Sequence, residues 1–128
     1  MTPLAAWLDR LRVWRARRLL ASGLRERRQK GTALLSGGPR AQALPLLTQA
    51  LADDHPLVRA AAAEALAALK DREALPALLD ALEEAIGNFY LSTALWEAAQ
   101  AVAGEESGFD FNKPEEAQRQ RIAAWRKK

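Results

Sequence analysis

The sequence predicts an all-α protein, a short right-handed solenoid of helical hairpins. The first observation is a repeat, because the segment ALPLLTQAL (Ala43–Leu51) recurs as the near copy ALPALLDAL (Ala74–Leu82). A repeating helical unit buries its apolar face only against its neighbours, so a short period indicates a solenoid. The second observation is the composition of the 128 residues, 49% apolar and rich in Ala and Leu, which favours helices over strands.

The N-terminal part is predicted to form two basic helices. Thr2-Pro3 is typical of a helix start, since proline suits the first turn. Large apolar residues then recur at helical spacing and form an apolar stripe: Leu4, Trp7, Leu8, Leu11 and Trp14. We expect the first helix to run to about Ala21 and the second from Leu24 to Leu35. The second ends at the sequence SGGP, where Gly caps the helix and Pro cannot continue it.

Four repeat helices and a terminal helix are predicted to follow. The repeat helices should cover residues 40–52, Leu57–Leu69, a segment from the N-cap Asp71 through Ile86, and Phe89–Ala103. The last of these matches the second, with Ala94 aligned on Ala61. A loop leads to the terminal helix, which Pro114 opens. The chain therefore divides into basic amphipathic N-terminal helices (1–38), repeats (39–104), and a loop with a C-terminal capping helix (105–128).

The repeats resemble a known family. Residues 51–82, LADDHPLVRAAAAEALAALKDREALPALLDAL, are similar to the short bacterial HEAT repeats of the phycobilin-lyase type. The family's Asp-x-x-Pro-x-Val-Arg turn is matched by Asp53, Pro56, Val58 and Arg59, and its second element by Asp71, Ala74, Leu75, Pro76 and Leu78. The resemblance implies that Asp53 and Arg59 are structural residues that tie the turn to the following helix.

Charge is strongly segregated along the chain. Residues 1–31 carry +7, residues 32–112 carry −8, and residues 113–128 carry +4, within a net charge of +3. Two interpretations are open: the basic ends neutralise the acidic middle, or the segments form separate contact surfaces.

No motif for catalysis stands out. There is no cysteine, and the single histidine, His55, is followed by Pro56 rather than by a metal-ligand partner. The paired carboxylates are expected to be solvated, and Gly37-Gly38 lacks the lysine and hydroxyl of a phosphate loop. We expect no enzyme, no catalytic residue, no cofactor and no metal. The sequence shows neither the pattern of a secretory signal nor that of a membrane span, so we expect a cytoplasmic protein, with a membrane-peripheral location as the alternative.

Two surfaces are candidates for partner binding. The first is the N-terminal helix, through Trp7, Trp14, Arg15, Arg17 and Arg18. Three interpretations are open: a cap whose stripe packs on the first repeat, a helix lying on anionic membrane, or a contact to nucleic acid. Because the repeats are acidic, nucleic acid is the least favoured.

The second candidate is the off-core face of the last repeat helix, where Phe89 and Trp96 lie on one side. The alternative is that both pack under the tail aromatics Phe109, Phe111 and Trp125. We expect the function to be that of an adaptor or assembly subunit, with one or more proteins as partners in a larger complex. The rival is a peripheral module that binds anionic membrane or nucleic acid through the basic N-terminal helix.

Overall fold

The computed structural model describes residues 2–105 and 110–127. In these residues the chain forms seven α-helices: α1 (Pro3–Leu20), α2 (Arg25–Ser36), α3 (Arg40–Ala50), α4 (Pro56–Leu69), α5 (Leu75–Glu84), α6 (Phe89–Ala103) and α7 (Glu115–Arg126). The predicted all-α class is confirmed. Most helix ends lie within two residues of their predicted positions, and α6 has the predicted bounds.

The helices form three stacked hairpins, α1/α2, α3/α4 and α5/α6. The second helices form a continuous layer, in which α4 packs on both α2 and α6. The first helices form a looser outer layer, with α1 touching α3, and α7 packs against α5. This arrangement is a short helical solenoid, as predicted.

The core lies between the two layers and is built from alanine and leucine. Leu47 of α3 and Leu78 of α5, which occupy equivalent positions of the two copies of the repeated segment, are fully buried. In α4, alanines are buried on more than one side of the helix, among them Ala60, Ala62 and Ala63. Small side chains on opposite sides of α4 let its neighbours in the inner layer approach closely.

Asp71 is an N-cap, as predicted, but the helix predicted to run from it through Ile86 has different bounds. A short 3-10 helix, Arg72–Ala74, comes first, and the Asp71 carboxylate caps it by accepting from the Glu73 amide. The α-helix α5 begins only at Leu75 and ends at Glu84. Pro76 lies in the first turn of α5, where its missing N–H leaves no hydrogen bond unmade, so this proline favours a helix start close to Leu75.

Side-chain hydrogen bonds hold the turn between α3 and α4. The Arg59 guanidinium donates from Nε to the carbonyl oxygen of Asp53 at 2.6 Å and from Nη2 to that of Asp54 at 3.3 Å. The Asp53 carboxylate accepts from the His55 amide at 2.9 Å and from Arg28 of α2 at 2.8 and 3.1 Å. Asp53 and Arg59 thus fold the turn, and Asp53 also joins the first hairpin to the second.

An arginine holds the turn of the first hairpin in the same way. Arg28 donates to the carbonyl oxygen of Ser22, six residues earlier, at 3.1 Å, just as Arg59 reaches back six residues to Asp53. In the third hairpin the buried Ser92 hydroxyl donates to the carbonyl oxygen of Ala85 at 2.7 Å. Each of the three hairpins therefore has a side chain early in its second helix that ties down the preceding turn.

Candidate partner-binding surface

The apolar stripe of α1 is exposed to solvent. The exposed fractions are 66% for Leu4, 57% for Trp7, 51% for Leu8, 37% for Leu11 and 54% for Trp14. In the cap interpretation these side chains would pack on the first repeat. The structure places them on the outside instead, so α1 does not dock through its stripe.

The stripe faces outward because the opposite face of α1, which is made of smaller residues, packs inward. Ala16 is fully buried there and Val13 nearly so. At the crossing with α2, a Cβ added to Gly31 would lie 3.0 Å from Leu20 Cγ and 3.1 Å from the Ala16 carbonyl oxygen. Two helices that approach this closely have no room for an indole ring, so the small face packs inward and the tryptophans face outward.

A groove runs along the flank of the stripe, between α1 and the start of α3. Its volume is about 460 Å³, and it is lined by Ala6, Asp9, Arg10, Val13, Trp14, Arg17, Pro39 and Gln42. Trp14 belongs to both the stripe and the groove and makes them continuous. We call the apolar stripe and this groove together the α1 surface.

The α1 surface is also basic. All five arginines of α1 are exposed, namely Arg10, Arg12, Arg15, Arg17 and Arg18. Within residues 2–105 and 110–127, none of them forms an ion pair with a carboxylate. The Arg18 guanidinium lies 5.1 Å from the centre of the Trp14 ring, a cation–π contact between two exposed side chains. The predicted residues Trp7, Trp14, Arg15, Arg17 and Arg18 therefore all lie on one exposed helix.

The second candidate surface is largely covered. Trp96 is only 4% exposed, and its ring packs at a tilt against that of Trp125 of α7, with ring centres 4.5 Å apart. Trp96 is therefore not accessible to a partner, because Trp125 of the C-terminal helix covers its ring. Phe89 stays 69% exposed although its ring makes an edge contact with Phe111 at 5.5 Å. Phe109, the third predicted tail aromatic, lies outside the described residues.

Ion pairs attach the basic C-terminal helix to the acidic middle of the chain. Arg126 of α7 donates to Asp80 at 2.6 Å and to Glu83 at 2.8 Å, both on α5. The hydrogen bond that Arg126 donates to Asp80, supported by the one to Glu83, raises the pKa of Arg126 above its ordinary value. The Trp125 indole N–H donates to Glu105 at 3.1 Å. At this end the opposite charges of the sequence match internally, whereas the arginines of α1 have no such match among the described residues.

His55 lies at the start of α4. Its Nδ1 faces the Leu57 amide at 3.1 Å, and its Nε2 faces Arg25 Nη1 at 2.7 Å. A neutral imidazole accepts at one nitrogen only, so each tautomer satisfies one of these two donors. The two contacts connect the imidazole ring to the start of α4 and to α2. In the described part of the chain, no three His, Asp or Glu residues are grouped so that they could hold a metal ion.

A comparison with protein families agrees with this architecture. Stacked helical hairpins form an α-solenoid, and the profile of HEAT repeats matches residues 2–102. The chain therefore belongs to the HEAT repeat family. The match extends over α1 and α2 as well as the two later hairpins. No curated protein and no solved structure matches the chain. Among the described residues, no helix is both long and apolar enough to cross a membrane.

Proposed function

We propose that this protein is a non-enzymatic adaptor, a subunit of a larger assembly that binds a protein partner through the α1 surface. HEAT repeats generally mediate interactions between proteins, and this supports a protein as the partner. As part of the same proposal, the repeats are of the short phycobilin-lyase type of bacterial proteins, and the protein is cytoplasmic. The close spacing of equivalent segments, from Ala43 to Ala74 and from Ala61 to Ala94, supports the short repeat type.

The observation that carries the proposal is the exposure of five large apolar side chains on α1. Scattered apolar residues are normal on a protein surface, but a contiguous apolar patch marks an interaction site. Tryptophan and arginine also dominate the binding energy of measured interfaces. On α1, Trp7 and Trp14 lie among five arginines that have no carboxylate partner in the described residues.

Affinity purification from the native host tests this proposal. Three tagged forms are compared by quantitative mass spectrometry: the wild type, the double variant Trp7→Ala/Trp14→Ala, and the control Tyr90→Ala. Tyr90 is an aromatic residue on α6 with 58% exposure, so it matches the tryptophans in kind and accessibility. Each hot-spot truncation costs about 2 kcal/mol or more of binding energy, so the double variant should lose its partners.

The control variant should retain the same proteins as the wild type. Recovery of one unchanged set of partners with the double variant would contradict the proposal. Separating the host extract into cytoplasmic and membrane fractions first also tests the location and the rival membrane function. A protein held in the membrane fraction through Trp7 and Trp14, without a protein partner, would favour that rival.

A further inference from the structure

We propose that the partner presents an acidic amphipathic helix to the α1 surface, with one large apolar side chain of that helix in the groove between α1 and α3. This inference rests on the proposed function, because it names the partner class for the same surface. Three features support it: the concave groove, the length of the stripe, and the distribution of charge.

The groove favours a side chain over a lipid surface. Its volume of about 460 Å³ is in the range of pockets that hold small ligands or anchor side chains. Val13 and Trp14 of α1 and Pro39 at the start of α3 provide apolar walls. A flat membrane surface contacts the outer edge of α1 but does not fill a groove between two helices, whereas a projecting side chain does.

The stripe has the length that a short helix needs. From Leu4 to Trp14 it extends over ten residue steps, which is about 15 Å or three turns along the axis. Recognition of an amphipathic helix uses anchors at i, i+3 or i+4, and i+7, which span about 10 Å, so the stripe is long enough to contact all of them. Trp14 lies at the edge shared by stripe and groove, so one partner helix can contact both.

The charges specify acidic residues beside the partner's apolar face. Arg10 and Arg17, two turns apart on α1, both line the groove, and Asp9 is the one carboxylate among its lining residues. A second copy of this chain, docked α1 to α1, would bring the groove arginines Arg10 and Arg17 of one copy close to those of the other and be repelled. Carboxylates that flank the apolar anchors would instead pair with the arginines, and such complementarity sets partner choice and association rate.

A peptide selection identifies the partner chemistry even while the partner itself is unidentified. The probe is a displayed library of randomised helical peptides of about 18 residues, which is five turns. Full-length protein is the bait at physiological salt. We expect the enriched peptides to combine Asp and Glu with large apolar residues at i, i+3 or i+4, and i+7. Their affinities are then measured by fluorescence anisotropy, and folding of every variant is checked by circular dichroism.

Two variants test the groove and its charges. Gln42→Trp places an indole at the exposed rim of the groove, and Arg10→Glu/Arg17→Glu reverses its two cations. Each should weaken binding of the selected peptides about tenfold or more, because one blocks the anchor and the other creates like-charge contacts. The matched control, Arg27→Glu/Lys30→Glu, makes the same charge change at exposed positions of α2 and should leave binding within about twofold.

The outcomes separate this inference from the proposed function. Neutral or basic peptides that still depend on Trp7 and Trp14 would overturn the acidic partner and leave the adaptor function standing. Peptides that bind the double tryptophan variant as well as the wild type would contradict both. Tighter binding to phosphatidylserine vesicles than to any selected peptide would show that a membrane, rather than a partner helix, occupies the α1 surface. A dimer in sedimentation velocity that Trp14→Ala dissociates would show that a second copy of the chain occupies it.

Discussion

The two ends of the stacked hairpins carry the same kinds of side chain, tryptophan and arginine, but hold them in opposite ways. At the C-terminal end, Trp96 and Trp125 pack against each other and are almost fully buried, and Arg126 is paired with two carboxylates. At the N-terminal end, Trp7 and Trp14 are more than half exposed. The arginines around them have no carboxylate partner in the described residues.

The difference follows from what lies against each end. α7 packs on α5 and places its tryptophan over α6, so the last hairpin is covered by the chain itself. In the described residues no helix covers the outer face of α1. Tryptophan and arginine are therefore structural at one end and available for binding at the other, and composition alone does not distinguish the two roles.

The largest expected effect separates the two pairs of tryptophans. Trp125→Ala should lower the free energy of unfolding by about 3–5 kcal/mol, because it leaves a cavity over Trp96. Trp7→Ala and Trp14→Ala should each change it by no more than about 0.5 kcal/mol, as exposed residues do. Urea unfolding followed by circular dichroism measures all three. Equal losses at Trp7 and Trp125 would show that both ends are packed, and the comparison would fail.

A comparable effect is expected in the repeats. Leu47→Ala and Leu78→Ala should each destabilise the protein by about 2–5 kcal/mol, because both side chains are fully buried. Leu8→Ala makes the same chemical change on the exposed stripe and serves as the control. Thermal unfolding should show a clear drop in Tm for the two core variants only. An unchanged Tm for either core variant would mean that the repeat register is wrong.

A smaller effect is expected at the contact between the first two hairpins. Arg28→Ala removes the paired hydrogen bonds to Asp53 and the bond to the Ser22 carbonyl, and both charged side chains are largely shielded from solvent. The loss should be about 1–3 kcal/mol, typical of bonds to a charged group. Arg15→Ala, on the exposed side of α1, should have no measurable effect on unfolding. Chemical denaturation of the two variants side by side compares a paired arginine with an unpaired one.

The smallest effect is expected at the C-terminal ion pairs. Arg126→Ala should cost no more than about 1 kcal/mol, because its carboxylate partners are well exposed and solvent screens the pairs. Added salt should shrink this difference further. A loss of unfolding free energy as large as that of Trp125→Ala would mean that the ion pairs, rather than the contact between the two indoles, hold α7 in place.

Periodicity predicts most of the fold because buried residues recur at helical spacing along the repeat helices. The equivalent residues Leu47 and Leu78 both lie in the core, and α6 has the predicted bounds. Periodicity groups residues on a face but does not say which face of a helix packs inward. On α1 the larger stripe gave the stronger signal, while the close approach at Gly31 selected the smaller face.

Two further features depend on contacts distant in sequence. The groove exists only because Pro39 and Gln42 of the next hairpin lie beside α1. No local sequence pattern shows that these residues are close to α1 in space. The burial of Trp96 needs Trp125, which lies on a different helix beyond a long loop. A local signal was available for the first hairpin, because Arg28 occupies the place that Arg59 holds in the second. Ser22, however, replaces the acidic turn residue that made the later repeat recognisable.

Site-specific photo-crosslinking in the native host tests the central claim most directly. The photoreactive residue p-benzoylphenylalanine is placed at Leu11, in the middle of the stripe, and in a separate variant at Tyr90, an exposed position on α6. We predict a discrete crosslinked protein adduct from position 11 and none from position 90. An adduct from position 90 alone, or the same adducts from both positions, would contradict the claim that α1 is the docking surface.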